Sequence, residues 1–207
     1  MKTYEKDLIN YFNKVGIIKI NKVLSYKKAL FLKKNLIEIN LKNIKKNKSD
    51  KKSIKQMNIN NDAQLVHNLH NKNLEYVKLM SKSKIIKIVE TLLKESTFRK
   101  SEDIICQKSF ARNPAYSKKK QILHTDSRFI NTLRPLMINV FWLLDDFTKF
   151  NGALRYIPGS HKYCEFPKNN KKYFNEKIIE GKRGDVIIFD GNLWHGNSAK
   201  IKNEDRW

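Results

Sequence analysis

Apolar residues repeat with two different periods along the chain, and the change falls near residue 100. Before it the texture is mainly helical. Between residues 25 and 46, Leu30, Ile37, Leu41 and Ile44 recur close to helical spacing, and Ser25 is suited to cap the first turn. Two further helices are expected over 63–80 and 83–94, with a polar loop over 47–62 and a short strand over 15–20 (VGIIKI). After residue 100 the pattern becomes short strands between turn signals. Strands are expected over 103–111, 122–126, 136–144, 153–157, 176–179, 186–189 and 193–198. Asn151-Gly152, Pro158-Gly159, Arg183-Gly184-Asp185 and Asp190-Gly191-Asn192 mark turns between them. Helices first and strands second predict an α+β chain. Its strand half, 101–207, reads as a β-sandwich or jelly roll, and its helical half, 1–100, packs on that core as part of one structural domain.

Composition narrows the class. A 40% hydrophobic and 11% aromatic content is enough for a core and excludes wholesale disorder. No apolar run approaches the length of a membrane span, and mean hydropathy is −0.62. The first twelve residues, MKTYEKDLINYF, lack the apolar stretch of a secretory signal, and a cytoplasmic location is expected. Cys106 and Cys164 make no disulfide framework and are expected as buried, reduced thiols.

The formal net charge of +23 invites a nucleic-acid reading. Only seven of the 43 basic residues are Arg, however, and the 36 Lys accompany 23 Asn and 23 Ile, all residues with A/T-rich codons. Arg is the better phosphate and guanine reader, so the charge argues only weakly for nucleic acid. The densest stretch, 21–60, carries twelve Lys against Glu38 and Asp50. A basic nucleic-acid- or anionic-surface-binding protein using this segment is one alternative reading.

The chemistry lies in the strand half. In His124-Thr125-Asp126, an imidazole and a carboxylate two residues apart on a strand point to one face, as neighbouring positions on a metal require. His195 follows 71 residues later on another predicted strand. Two His and one carboxylate make the facial triad that holds non-heme Fe(II) and leaves positions open for oxygen chemistry. Arg206, eleven residues further on, has the planar, permanently charged fork that suits the distal carboxylate of 2-oxoglutarate. A cupin-like metal protein that does not use 2-oxoglutarate is the other alternative, and Arg206 speaks against it. Of the remaining histidines, His67 and His70 read as surface or interhelical side chains and His161, on a turn, as lying outside the metal shell. Asp145-Asp146 read as acceptors for loop amides rather than a cation site.

Five pieces taken together carry a resemblance: HTD (124–126), FWLLDD (141–146), NGALRYIPGSHK (151–162), GDVIIFDGNLWHGNSA (184–199) and Arg206. In order and spacing they resemble the phytanoyl-CoA dioxygenase family of Fe(II)/2-oxoglutarate-dependent oxygenases over roughly 103–206, with GIIKINKVLS (16–25) a looser match. The resemblance implies a double-stranded β-helix core. It implies iron on His124, Asp126 and His195, with 2-oxoglutarate and O2 as co-substrates. Arg206 would take the distal carboxylate, helped by Asn197 where the family often has Ser. Trp142 would line the co-substrate pocket, and Gln107, on the preceding strand, would make a polar contact to co-substrate or substrate. The implied reaction is hydroxylation or desaturation of a small organic molecule, with 2-oxoglutarate converted to succinate and CO2. Related halogenases replace the carboxylate by a small residue, and Asp126 stands there instead. The family continues through a strand beyond the Arg206 position, so a C-terminal truncation is expected.

Overall fold

The computed structural model describes residues 3–48, 64–94, 105–168, 171–202 and 204–207. Among the described residues four helices, α1 (Thr3–Val15), α2 (Tyr26–Lys48), α3 (Leu74–Met80) and α4 (Ser83–Lys94), accompany eight short strands. The strands are β1 (Ile17–Ile20), β2 (Gln64–His67), β3 (Phe110–Asn113), β4 (Ile138–Trp142), β5 (Leu154–Tyr156), β6 (Lys177–Ile179), β7 (Val186–Asp190) and β8 (His195–Asn197). They form three antiparallel sheets, ordered β1-β7-β4, β2-β3 and β6-β5-β8.

β7 is the centre. All five of its residues are buried, which its continuous apolar run VIIF dictates, because both faces must be covered. The register sorts the neighbours by face. Ile188 pairs with Ile18 and Val140, and Val186 with Ile20 and Trp142; these side chains pack on Ile9 and Phe12 of α1 and on Ile85, Ile88, Val89 and Leu92 of α4. Ile187 and Phe189, pointing the other way with Ile17 and Phe141, meet Leu154, Tyr156 and Ile179 of the second sheet. The two three-stranded sheets are thus the layers of a sandwich, with α1 and α4 on the outer face of one. β1, from the helical half, is a full member of this core. Gly16 makes that possible: its φ of 86° ends α1 and turns the chain into β1, and a Cβ there would strike the His161 ring.

Helices over 26–48 and 83–94 form where their periodicity places them, and Ser25 Oγ accepts from Lys28 N–H at 3.2 Å as the N-cap. Residues 64–67 depart from the expected helix. They form β2 against β3, which buries Val66, and Asn68 at φ 54° breaks the chain before a 3-10 turn and α3. The competing signal is a pairing partner more than forty residues away, which local periodicity does not contain. The expected strand over 103–111 shifts to 110–113, and 122–126 is an extended segment with a single β-bridge. The loop expected over 47–62 lies mostly outside the described residues, while 47 and 48 belong to α2. Cys106 and Cys164 are free but exposed, not buried. No described helix is long and apolar enough to cross a membrane.

Candidate metal and co-substrate site

Segment 121–127 lies alongside β8. Gln121 N–H donates to Asn197 O (3.0 Å), His124 and His195 exchange both backbone bonds (2.9 Å each), and Asp126 N–H donates to Gly191 O (2.9 Å). Gly196 permits the approach, because an added Cβ would sit 3.0 Å from the carbonyl oxygens of Gln121 and Ile122. Arg155 on β5 ties the pieces together. Its buried guanidinium donates to Gln121 O and Asn197 O and pairs with Glu176 at 2.5 Å.

This pairing converges the three expected ligands. His124, Asp126 and His195 each offer a ligand atom, all within 4.8 Å of one another. Asp126 Oδ2 is 3.4 Å from His195 Nε2, and Oδ1 is 3.7 Å from His124 Nε2. On both histidines Nδ1 donates to a main-chain carbonyl, His124 to Ile122 O (3.1 Å) and His195 to Leu193 O (2.8 Å). That fixes the tautomer with each Nε2 lone pair free for a metal. Burial and the neighbouring His195 hold His124 below the usual histidine range. The Asp126 carboxyl is held below its ordinary range: burial would raise it, but wherever the imidazoles carry a second proton their hydrogen bond and charge, with the charge of Lys108, outweigh that. His195 is buried against Phe189 (ring centroids 4.8 Å), and Phe141 packs edge-on to Phe189 (4.9 Å), so the triad opens onto the inter-sheet core. Its donor set of two neutral imidazoles and one carboxylate fits a divalent first-row metal.

Arg206 is buried, with its guanidinium over the Phe147 ring of the same core (4.7 Å). Its Nε has no partner, and among the described residues no carboxylate pairs with it. Burial, with the charge of Arg112, pushes its pKa down to about 9. A buried cation without a counter-ion is costly, and the arrangement fits an anion arriving from solution. Asn197 shares a face of β8 with His195, opposite the inward-facing Leu154 and Tyr156.

Two expected contacts fall elsewhere. Trp142 faces the helical side, packed with the α1–α4 core and the α2 cluster; alternation along β4 puts Phe141 on the inner face instead. Gln107 lies exposed in irregular backbone before β3, not on a strand. Trp142 is thereby turned from the triad, whereas Gln107 adjoins Lys108, whose charge acts on Asp126. Asn139 is, in contrast, a residue the sequence reading missed. It pairs with Phe189 on the inner face, and its Nδ2 is buried without a partner. Alternation from Phe141 would have found it. Arg155 was missed because nothing local marks an arginine as a clamp between distant segments.

His161 lies apart from the triad, with Nε2 donating to Asn13 O (3.2 Å). His70 bonds Ser109 Oγ, and the His67 ring is tilted against Phe110 with centroids 6.3 Å apart. Asp145 and Asp146 do accept amides, from Trp207 and Arg183, and also pair with Lys33, Arg183 and Lys182. Within the Lys-rich stretch 21–60, Lys28 and Lys33 are used in internal ion pairs, with Glu75 and Asp145.

Known proteins resemble this chain in sequence and in fold. Over 91 residues the chain is 35% identical to the dioxygenase af480 of Aspergillus fumigatus, covering 41% of this chain and 29% of that one. It is 33% identical over 104 residues to the phytanoyl-CoA dioxygenase domain-containing protein 1 homolog of Dictyostelium discoideum, covering 41% and 37%. The chain spans less than half the length of these curated relatives. Among solved structures, HygX of Streptomyces hygroscopicus with nickel and 2-oxoglutarate bound superposes with a TM-score of 0.72 at 13% identity, covering 97% of this chain and 83% of that one. The carbocyclase SnoK from nogalamycin biosynthesis gives 0.71 at 16%, covering 97% and 80%. At such identities the likeness shows the fold. The phytanoyl-CoA dioxygenase (PhyH) profile matches residues 12–206, nearly the whole chain, and the protein therefore belongs to the phytanoyl-CoA dioxygenase family.

Proposed function

We propose that this chain is an Fe(II)/2-oxoglutarate-dependent dioxygenase that hydroxylates a small organic substrate in the cytoplasm, on a double-stranded β-helix core drawn from 101–207 and joined by β1, with the rest of the helical region 1–100 packed against it. One observation carries the reading: three metal-competent atoms converge beside an inter-sheet core whose buried arginine has no counter-ion among the described residues. The relatives named as dioxygenases, one of them Fe(II)/2-oxoglutarate-dependent, and a neighbour holding 2-oxoglutarate support it.

In this reading His124, Asp126 and His195 hold the iron, and their backbone-anchored Nδ1 protons keep both Nε2 atoms available. Iron, 2-oxoglutarate and O2, once bound, supply the oxidising power, with succinate and CO2 as co-products and a substrate C–H as the target. Arg206 receives the distal carboxylate, and Asn197 on β8 and the unpartnered amide of Asn139 on β4 offer polar groups on the inner faces of the two sheets. Phe141, Phe147 and Phe189 make the wall apolar, which strengthens these contacts and limits water. The test is anaerobic titration of the purified protein with Fe(II) and 2-oxoglutarate. A visible metal-to-ligand charge-transfer band that disappears in His195→Ala is expected; folded wild-type protein without a band overturns the reading.

A further inference from the structure

Arg206 lies outside any described strand, so something other than a β-ladder fixes it. Its peptide N–H donates to Asn113 Oδ1 at 3.0 Å. Asn113 is buried at the end of β3, and the same oxygen accepts from Lys200 Nζ at 3.1 Å. Its Nδ2 donates to Asp205 Oδ1 at 2.9 Å and, more weakly, to Gln64 Oε1 at 3.4 Å across the β2–β3 pair. One side chain thus spends its full amide capacity on both residues of the Asp205–Arg206 pair, on a buried ammonium and on the neighbouring strand. Lys200 is further held by Pro114 O at 2.7 Å. Asp205 is kept by Asn113 and by Lys33 at 3.7 Å, so the arginine's nearest carboxylate in sequence is occupied elsewhere.

The geometry points to Asn113 as a positioning residue for co-substrate binding. It rests on the reading that Arg206 takes the distal carboxylate of 2-oxoglutarate. By accepting from the Arg206 peptide while holding Asp205, Asn113 sets the backbone from which the guanidinium enters the core, and keeps the adjacent carboxylate from neutralising it. Lys200, drawn to the same oxygen, adds a second buried cation near the guanidinium; its ammonium is pushed below its ordinary range by burial and by the charge of Arg206. A pre-organised, uncompensated cation favours a dicarboxylate over a 2-keto acid that ends in a methyl group. The β2–β3 sheet, peripheral to the sandwich, thereby acquires a role in co-substrate choice.

The experiment compares wild type, Asn113→Ala and Arg206→Ala, each loaded with redox-inert Zn(II) and titrated calorimetrically. The probes are 2-oxoglutarate and 2-oxobutyrate, which has the same keto-acid head and no distal carboxylate. Asn113→Ala is expected to weaken 2-oxoglutarate by about tenfold while leaving Zn(II) and 2-oxobutyrate affinities within about twofold. A merely structural role would weaken all three together, and that result overturns the proposal. So does unchanged 2-oxoglutarate affinity in Asn113→Ala when Arg206→Ala has lost it. If Arg206→Ala itself binds 2-oxoglutarate like wild type, the clamp reading has failed and the role of Asn113 falls with it. Should Asn113→Ala not fold, Asn113→Ser takes its place with the same selective loss expected.

Discussion

Replacing Arg206 by Met should make the protein more stable while removing its affinity for 2-oxoglutarate. Burial, assisted by Arg112, lowers the guanidinium pKa from 12.5 to about 9. Each pKa unit is worth about 1.4 kcal/mol, so keeping this group charged in the folded state costs roughly 5 kcal/mol. The guanidinium recovers about 2 kcal/mol from the Phe147 face beneath it, because the contact is desolvated. Methionine fills similar space without the charge, and the Arg206 backbone bond to Asn113 is untouched. The net expectation is a gain of about 3 kcal/mol, or roughly 6–12 °C in melting temperature for a chain of this size. Circular dichroism melts of the metal-free protein measure it directly. With Zn(II) and 2-oxoglutarate at about 100 times its dissociation constant, wild type should gain a further 2.7 kcal/mol or so, and the variant nothing. A variant that melts below wild type yet is still stabilised by 2-oxoglutarate would refute the reasoning, because the charge would then be neither costly nor used.

Three further outcomes follow from the same structure. Asp126→Ala should abolish turnover and weaken Fe(II) by at least about tenfold, since two imidazoles remain without the anionic ligand; equilibrium metal titration checks it. Trp142→Leu should lower stability by about 1–3 kcal/mol yet leave 2-oxoglutarate affinity unchanged, because the ring packs on the helical side; a calorimetric loss of affinity would contradict that placement. His161 is held neutral, its pKa lowered to about 4 mainly by burial. Its folded value lies below its unfolded one, so its contribution is complete above about pH 6.5 and is lost as pH falls toward 4, some 3 kcal/mol in all. Urea denaturation across that window should show a slope that flattens in His161→Gln, and parallel slopes for the two proteins would count against the assignment.

Much of this molecule was legible in its residues. The His124, Asp126 and His195 types and the Arg206 charge stood out as candidates from the residues alone, because only a few donor sets suit iron, and the fold brings the first three together. The long helices and β7 were legible for a related reason: a periodic or continuous apolar run has few ways to be buried. Tertiary structure decided what depends on partners distant in sequence. Residues 64–67 pair with 110–113 and become strand, although their local spacing favoured helix. Trp142 and Phe141 are adjacent aromatics, and only the register with Val186 and Ile187 tells which one faces the triad. Asn113, Arg155 and Asn139 carry no motif at all; hydrogen bonds to residues up to 93 positions away, or an amide left without one, make them part of the site. Sequence fixes which chemical groups exist and how each short segment prefers to fold. Which groups meet, and which buried charge is left without a partner, is settled by long-range packing, because those contacts have no local signature.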